Sequence, residues 1–172
     1  MAYEFLKLER APRILVEAVK MMGTKEIVGK EHNPEILRWA QVLGLQKFYN
    51  ADEIPWCGLA MAYAAKMANL EYPSQPLWAL NWANFGTQVT EPMLGDILTF
   101  KRDGGGHVGI YVGEDDECYH VLGGNQSNAM NVTRILKSRL HKARRTKWKV
   151  AQPVNVRKIQ LTAKGKISTN EA

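Results

Sequence analysis

The stretch DEIPWCGLAMAYAAKMANL, residues 52–70, decides the fold that we expect for this sequence. From about residue 55 to residue 69, small and apolar side chains cover nearly every side of a helix, which is typical of a helix packed at the centre of a domain. The alanines in this segment allow neighbouring elements to approach closely. We therefore predict a buried central helix with Cys57 in its first turn.

Shorter helices are predicted on both sides of the central one. Residues 13–22 carry apolar side chains at helical spacing and are followed by Gly23, a natural stop. Asn33 and Pro34 form an N-cap and first-turn pair before EILRWAQVLGL, which has one apolar face. After the central helix, PLWALNWANFG predicts a short helix that ends at Gly86.

Strands are predicted after residue 95. DILTFKR, HVGIYVG and ECYHVLGG are β-branched and aromatic runs separated by the turn compositions DGGG and EDDE, and NVTRIL and TKWKVAQP are further strand candidates. Helices followed by an antiparallel sheet indicate the α+β class. The length of 172 residues suits one domain. We place this domain at residues 1–152 and expect residues 153–172 to form a loose, polar and basic tail.

The charges of the chain are spread unevenly. The net charge is +6, but residues 134–166 hold twelve Lys or Arg and no Asp or Glu, so the remainder carries a net charge of −6. Such a basic region favours polyanions, among them nucleic acid, acidic lipid and an anionic cell envelope. A solvated basic edge strand explains it equally well. The side chains expected to meet an anionic envelope are Arg144, Arg145, Lys147 and Lys149.

The sequence also bears on compartment. No window approaches the roughly 18 uninterrupted apolar residues that a membrane helix needs, and the charged start MAYEFLKLER does not fit a signal peptide. We expect a chain that is made in the cytoplasm and stays there unless another factor moves it. In a reducing compartment Cys57 and Cys118 would be separate thiols rather than a disulfide.

Cys57 is the first candidate for chemistry. The free N–H groups and the dipole of a helix start stabilise negative charge, so a thiol placed there favours a lowered pKa and a thiolate nucleophile. An inert, buried small hydrophobe is the alternative, and from this position alone it is the commoner one. A nucleophilic thiol needs a base, and His107 opens a predicted strand next to flexible glycines. His32, His120 and His141 are better explained as structural or solvated.

The motifs together resemble the CHAP superfamily of cysteine/histidine-dependent amidohydrolases and peptidases, which is related to NlpC-type cell-wall peptidases and has a papain-like arrangement. Within it, the similarity is to small phage and prophage endolysin-like proteins. The resemblance implies a papain-like or NlpC-type fold, with N-terminal helices packed on an antiparallel sheet. It covers about residues 13–150, through the segments GTKEIVGKEHNPEIL, DEIPWCG, LNWANFG, GDILTF, GHVGIYVGED and YHVLGGNQSN.

The resemblance assigns three catalytic roles. It implies Cys57 as nucleophile, His107 as general base and then acid, and Asn125 as the residue that orients the histidine. Many CHAP proteins have a glutamate just before this third residue, whereas the present sequence has two glycines there. Gln126 and Asn128 are therefore alternatives to Asn125.

The function implied is peptidoglycan hydrolysis at an amide bond in or next to the stem peptide, as an N-acetylmuramoyl-L-alanine amidase or an endopeptidase. We expect a monomer that needs no cofactor and reaches the wall after release by a holin or by another route. The backbone N–H of Cys57 is an expected oxyanion donor. Candidate substrate contacts are Trp56, Trp82 and Gln126, with Trp78 a further groove candidate, although buried packing explains each tryptophan as well.

Other functions remain open from the sequence. The chain could be an inactive CHAP-like binding module, for instance for nucleic acid through HKARRTKWK, or an injected antibacterial amidase toxin. Cys118 and His120 face the same side of a predicted strand, with Asp115, Asp116 and Glu117 close by, so a shared metal ion is the rival interpretation of that segment.

Overall fold

The computed structural model describes residues 3–10 and 12–171. Within these residues three α-helices precede most of the sheet: α1 is Arg13–Lys20, α2 is Pro34–Val42 and α3 is Cys57–Met67. Short 3-10 helices lie at Glu4–Lys7, Ala79–Asn84 and Lys137–Arg139. The strands are β1 (Thr87–Val89), β2 (Ile97–Arg102), β3 (Gly105–Glu114), β4 (Cys118–Gly123), β5 (Asn131–Leu136), β6 (Leu140–Arg145) and β7 (Ile167–Ser168).

The described strands form one seven-stranded sheet in the order β1-β6-β2-β3-β4-β5-β7. All neighbours are antiparallel except β5 and β7, which are parallel. The α+β class and the antiparallel sheet predicted from the sequence are confirmed. Strands β3 and β4 form a hairpin in which Ile110 lies opposite Leu122, so the start of β3 and the end of β4 lie on adjacent strands.

Helix α3 is buried in the core between the other helices and the sheet. Eight of its eleven residues are buried, as its all-round apolar pattern predicted. A Cβ atom at Gly58 would lie 2.2 Å from the carbonyl oxygen of Pro76, so only glycine allows this close approach to the first turn of α3. The predicted cap of α2 is also confirmed, because Asn33 Oδ1 accepts a hydrogen bond from the Glu35 N–H at 2.8 Å and Pro34 follows the cap.

Two predictions about the second half of the chain were wrong. The strand expected at TKWKVAQP does not form, and the last long strand is β6, which lies between β1 and β2. Residues 153–171 are not loose, because they hydrogen-bond along the sheet. The N–H of Glu114 donates to the Ile159 carbonyl, the N–H of Leu161 donates to the Glu114 carbonyl, both at 2.8 Å, and β7 pairs with β5. The backbone N–H and C=O groups at the end of β3 and along β5 would otherwise lack hydrogen-bond partners, and this segment supplies them.

No helix in the described ranges is long and apolar enough to cross a membrane.

Candidate active site

Cys57 is the first residue of α3 and is buried, with 4% of its surface exposed. Burial raises the pKa of its thiol. The nearby backbone N–H groups of Val108 and Gly58 and the positive charge of Arg102 lower it, but not enough to offset burial. The prediction of a lowered pKa for the Cys57 thiol was therefore wrong. The sequence does not show how far the thiol is withdrawn from water.

The sulfur of Cys57 lies close to the backbone of β3 directly after His107. The Val108 N–H that acts on the thiol belongs to the peptide that joins His107 to Val108. Helix α3 and strand β3 are far apart in sequence, and the packing of α3 on the sheet brings this thiol to the start of β3. The structure thus brings the two main predicted catalytic residues to one place.

His107 is fixed by Gln126. The ring Nε2 of His107 lies 3.0 Å from Gln126 Oε1, and both residues are 2% exposed. The amide orientation is set because Gln126 Nε2 donates to two carbonyl oxygens, those of Val121 at 3.1 Å and Asn131 at 2.6 Å. Gln126 Oε1 must then accept from His107, which places the ring proton on Nε2 and leaves Nδ1 as the basic nitrogen.

The loop after β4 explains why Gln126 takes this role. Asn125, Ser127 and Asn128 all have left-handed backbone conformations, with φ of 57°, 52° and 59°. This conformation is uncommon outside glycine and reverses the chain within a few residues. Among the described residues, the hydrogen-bond partner of His107 is Gln126, whereas Asn125 lies beside it, 5% exposed. Of the three candidates for the orienting residue, Asn125, Gln126 and Asn128, the structure shows Gln126 hydrogen-bonded to His107.

The two glycines before this loop leave no room for a side chain. A Cβ at Gly123 would lie 3.0 Å from Gln126 Oε1 and 3.2 Å from His107 Nε2. A Cβ at Gly124 would lie 2.6 Å from the ring of Trp56. A side chain at position 124, such as the glutamate that many CHAP proteins have just before the third residue, would collide with Trp56, and one at position 123 would press on Gln126 and His107.

Charges around His107 act in opposite directions on its pKa. Burial dominates and lowers the pKa to about 4. The negative charge of Glu171 and the hydrogen bond with Gln126 raise it, while the positive charges of Arg102 and Arg139 lower it. At neutral pH the ring is therefore uncharged and able to accept a proton. Glu171 was not predicted as a site residue from the sequence. It lies in a polar segment 64 positions beyond His107, and no motif surrounds it.

The two tryptophans predicted to contact substrate lie inside the core. Trp56 and Trp82 are both 0% exposed. The indole N–H of Trp56 donates to Glu26 Oε1 at 2.6 Å, and that of Trp82 donates to the Pro76 carbonyl at 3.0 Å. The structure therefore favours the packing interpretation for both. Trp78, in contrast, is 71% exposed.

The rival metal interpretation does not fit the neighbours of Cys118 and His120. Both ring nitrogens of His120 are already paired, Nε2 with Asp115 at 2.7 Å and Nδ1 with the Tyr3 hydroxyl at 2.6 Å. Asp115 also accepts from Arg134 Nε at 2.7 Å. In the part of the chain that is described, no three His, Cys, Asp or Glu side chains are grouped so that they could hold an ion.

The basic residues predicted to face an anionic envelope divide into two pairs. Arg144 donates to the Phe85 and Gly86 carbonyls, and Arg145 forms a two-bond ion pair with Asp96 at 2.9 and 2.8 Å. These two side chains serve the fold. Lys147 and Lys149 are exposed and line one wall of a cleft of about 870 Å³, whose other walls are residues 69–75 and 81–86 in part.

Comparison with protein-family models and with curated proteins finds no match to this sequence.

Proposed function

We propose that this protein is a papain-like cysteine hydrolase that cleaves an amide bond of bacterial peptidoglycan. The observation that carries the proposal is the fixed tautomer of His107. Because Gln126 holds the Nε2 proton, the unprotonated Nδ1 is the nitrogen available to a thiol, and the Cys57 thiol lies at the adjoining peptide. A thiol, a base and an orienter of the base are the parts that nucleophilic amide cleavage requires.

The proposed reaction follows from these parts. As the Cys57 sulfur attacks the amide carbonyl carbon, the thiol proton passes to His107 Nδ1 and the carbonyl oxygen becomes an oxyanion. The N–H of Cys57, at the start of α3, is the proposed oxyanion donor. His107 then protonates the leaving amine as the carbon–nitrogen bond breaks, which leaves a thioester. Water, deprotonated by His107, hydrolyses the thioester and restores the thiol.

The substrate class rests on the resemblance of the sequence to CHAP hydrolases. In that setting the protein acts on the cell wall as an endolysin after a holin or another route releases it. The uncharged thiol and ring of the resting site suit a mechanism in which the proton transfers only as substrate is attacked. The buried, water-poor surroundings strengthen each electrostatic contact made during that transfer.

Digestion of purified peptidoglycan tests the proposal. The wild type and Cys57→Ala are compared, with Cys118→Ala as a matched control because Cys118 is the other buried thiol. We expect new fragments by mass spectrometry with the wild type and the control, and none with Cys57→Ala. Amino sugars freed of peptide would indicate an amidase, and new peptide termini an endopeptidase. Equal digestion by Cys57→Ala would overturn the proposal.

One observation favours a second candidate, an inactive binding module. The exposed fractions of Cys57 and His107 are only 4% and 2%, so little of either residue faces solvent. A binding module predicts that Cys57→Ala binds peptidoglycan as the wild type does and that neither protein releases fragments. A pull-down on insoluble peptidoglycan, run beside the digestion, separates the two functions.

A further inference from the structure

The segment that follows β7 lies against the candidate active site. Strand β7 pairs in parallel with β5, and the carbonyl of Glu171 accepts the Ser127 N–H at 3.0 Å. Ser127 is the residue after Gln126, which holds His107. Asn170 Oδ1 accepts from Arg102 Nη1 at 2.6 Å, on the strand that pairs with the one bearing His107. These contacts hold the segment with Glu171 against the loop that carries Gln126, the hydrogen-bond partner of His107.

The carboxylate of Glu171 is completely buried. Its side chain has an exposed fraction of 0% and forms a two-bond ion pair with Arg139, at 2.7 and 3.0 Å. The Ser168 hydroxyl donates a further hydrogen bond to Oε1 at 3.1 Å. These partners hold the pKa of Glu171 below its usual value although burial alone would raise it. The group is therefore a fixed negative charge at neutral pH.

We propose that Glu171 is a positioning residue that stabilises the positively charged ring of His107 when the histidine takes the thiol proton. The inference rests on the proposed function. The ring is 2% exposed, so a charge on it cannot be solvated by bulk water. The charged groups acting on it are Arg102 from β2, Arg139 from the 3-10 helix after β5, and Glu171, while Gln126 from the β4–β5 loop is neutral.

The balance of these groups gives Glu171 its role. Two guanidinium groups oppose a positive ring, and glycines at positions 123 and 124 exclude a carboxylate from the β4–β5 loop beside it. Glu171 raises the pKa of His107 and its ion-pair partner Arg139 lowers it. Within the ion pair, the carboxylate is therefore the member that favours the protonated ring.

Opposite substitutions in this ion pair test the inference. Glu171→Gln and Arg139→Gln break the same ion pair but remove opposite charges. We expect Glu171→Gln to lower the pKa of His107 and Arg139→Gln to raise it. An NMR titration of the His107 ring signals in the free protein measures both shifts. If the ion pair served the fold alone, the two variants would not move the pKa in opposite directions.

The same variants are then assayed for peptidoglycan digestion. For Glu171→Gln we expect kcat/KM to fall about tenfold, the effect of about 1.4 kcal/mol in activation free energy. The acid limb of its pH profile moves to lower pH, because the free ring accepts its proton at lower pH. Glu171→Asp keeps the charge and should restore part of the rate. Glu171→Gln removes the ion-pair partner of the partly exposed Arg139 and could destabilise the fold. If the single variant unfolds, the double variant Glu171→Gln/Arg139→Gln is compared with Arg139→Gln, and this comparison isolates the effect of the carboxylate.

The outcomes separate this inference from the proposed function. If the wild type digests peptidoglycan but the two variants leave the pKa of His107 unchanged or shift it the same way, the role of Glu171 is overturned. If the shifts are opposite and the wild type digests nothing, the electrostatic partnership stands and the proposed function fails. Opposite shifts together with the expected pH profiles support both.

Discussion

Replacing Gln126 with alanine is the most informative perturbation of the site. The variant loses the hydrogen bond with His107 Nε2 at 3.0 Å and those to the carbonyls of Val121 and Asn131 at 3.1 and 2.6 Å. At about 1 kcal/mol for each, the free energy of unfolding should fall by roughly 3 kcal/mol. For a chain of this length that corresponds to a Tm lower by about 6–12 °C.

The activity of this variant should also fall. Without Gln126 Oε1 the ring of His107 is free to rotate and to carry its proton on either nitrogen, so the reacting geometry is populated only part of the time. Misplacement of this kind costs up to about a hundredfold in rate, and we expect kcat/KM to fall by roughly ten- to a hundredfold. The measurements are thermal unfolding, and turbidity clearing of purified peptidoglycan at a temperature below the Tm of the variant.

Asn125→Gly is the matched control. Glycine adopts the left-handed conformation observed at this position, where φ is 57°. The substitution removes the side chain that was predicted to orient His107. We expect wild-type activity from this variant. Full activity in Gln126→Ala together with a large loss in Asn125→Gly would show that the assignment of the orienting residue is wrong.

Further predictions concern the fold and the basic surface. Asp115→Asn should cost about 3–5 kcal/mol in urea unfolding, because it leaves a buried guanidinium unpaired. The hydrogen-bonded guanidinium holds the pKa of Asp115 below its usual range, so the wild type has this stability above about pH 4 and loses it as the pH falls through the folded value, whereas the variant is flatter there. Gly124→Ala should destabilise by about 1–3 kcal/mol through its tryptophan clash, whereas Gly105→Ala, with open space around it, stays within about 0.5 kcal/mol. Replacing Lys147 and Lys149 together with glutamine should weaken the salt dependence of lysis without lowering Tm, and an unchanged dependence would remove these lysines from envelope binding.

The elements with strong patterns were predictable from the sequence. The all-round apolar α3, the Asn33 cap of α2 and the β-branched runs of β2 to β5 form as expected, because local preference and burial agree there. Strand β6 was misplaced because LHKARR has a basic rather than an alternating apolar pattern. Its arginines are satisfied by carbonyls and by Asp96. Such tertiary partners are invisible in the local sequence.

The site was predictable at the level of residue types but not of the orienting residue. The resemblance to CHAP proteins implied Asn125, and continuation of the β3–β4 register, which pairs Ile110 with Leu122, would place position 125 opposite His107. Left-handed residues in the loop break that continuation and present Gln126 instead. The burial that raises the pKa of Cys57 and the approach of Glu171 also depend on the complete fold.

The short parallel strand β7 has a consequence for the behaviour of the protein in concentrated solution. The outermost strands of the sheet are β1, with three residues, and β7, with two, so each flank offers little backbone for another molecule to join. Loss of residues 167–171 would uncover the six-residue β5 on that flank. We expect such a shortened chain to polymerise by intermolecular strand pairing, so the segment that supports the histidine also keeps the molecules apart.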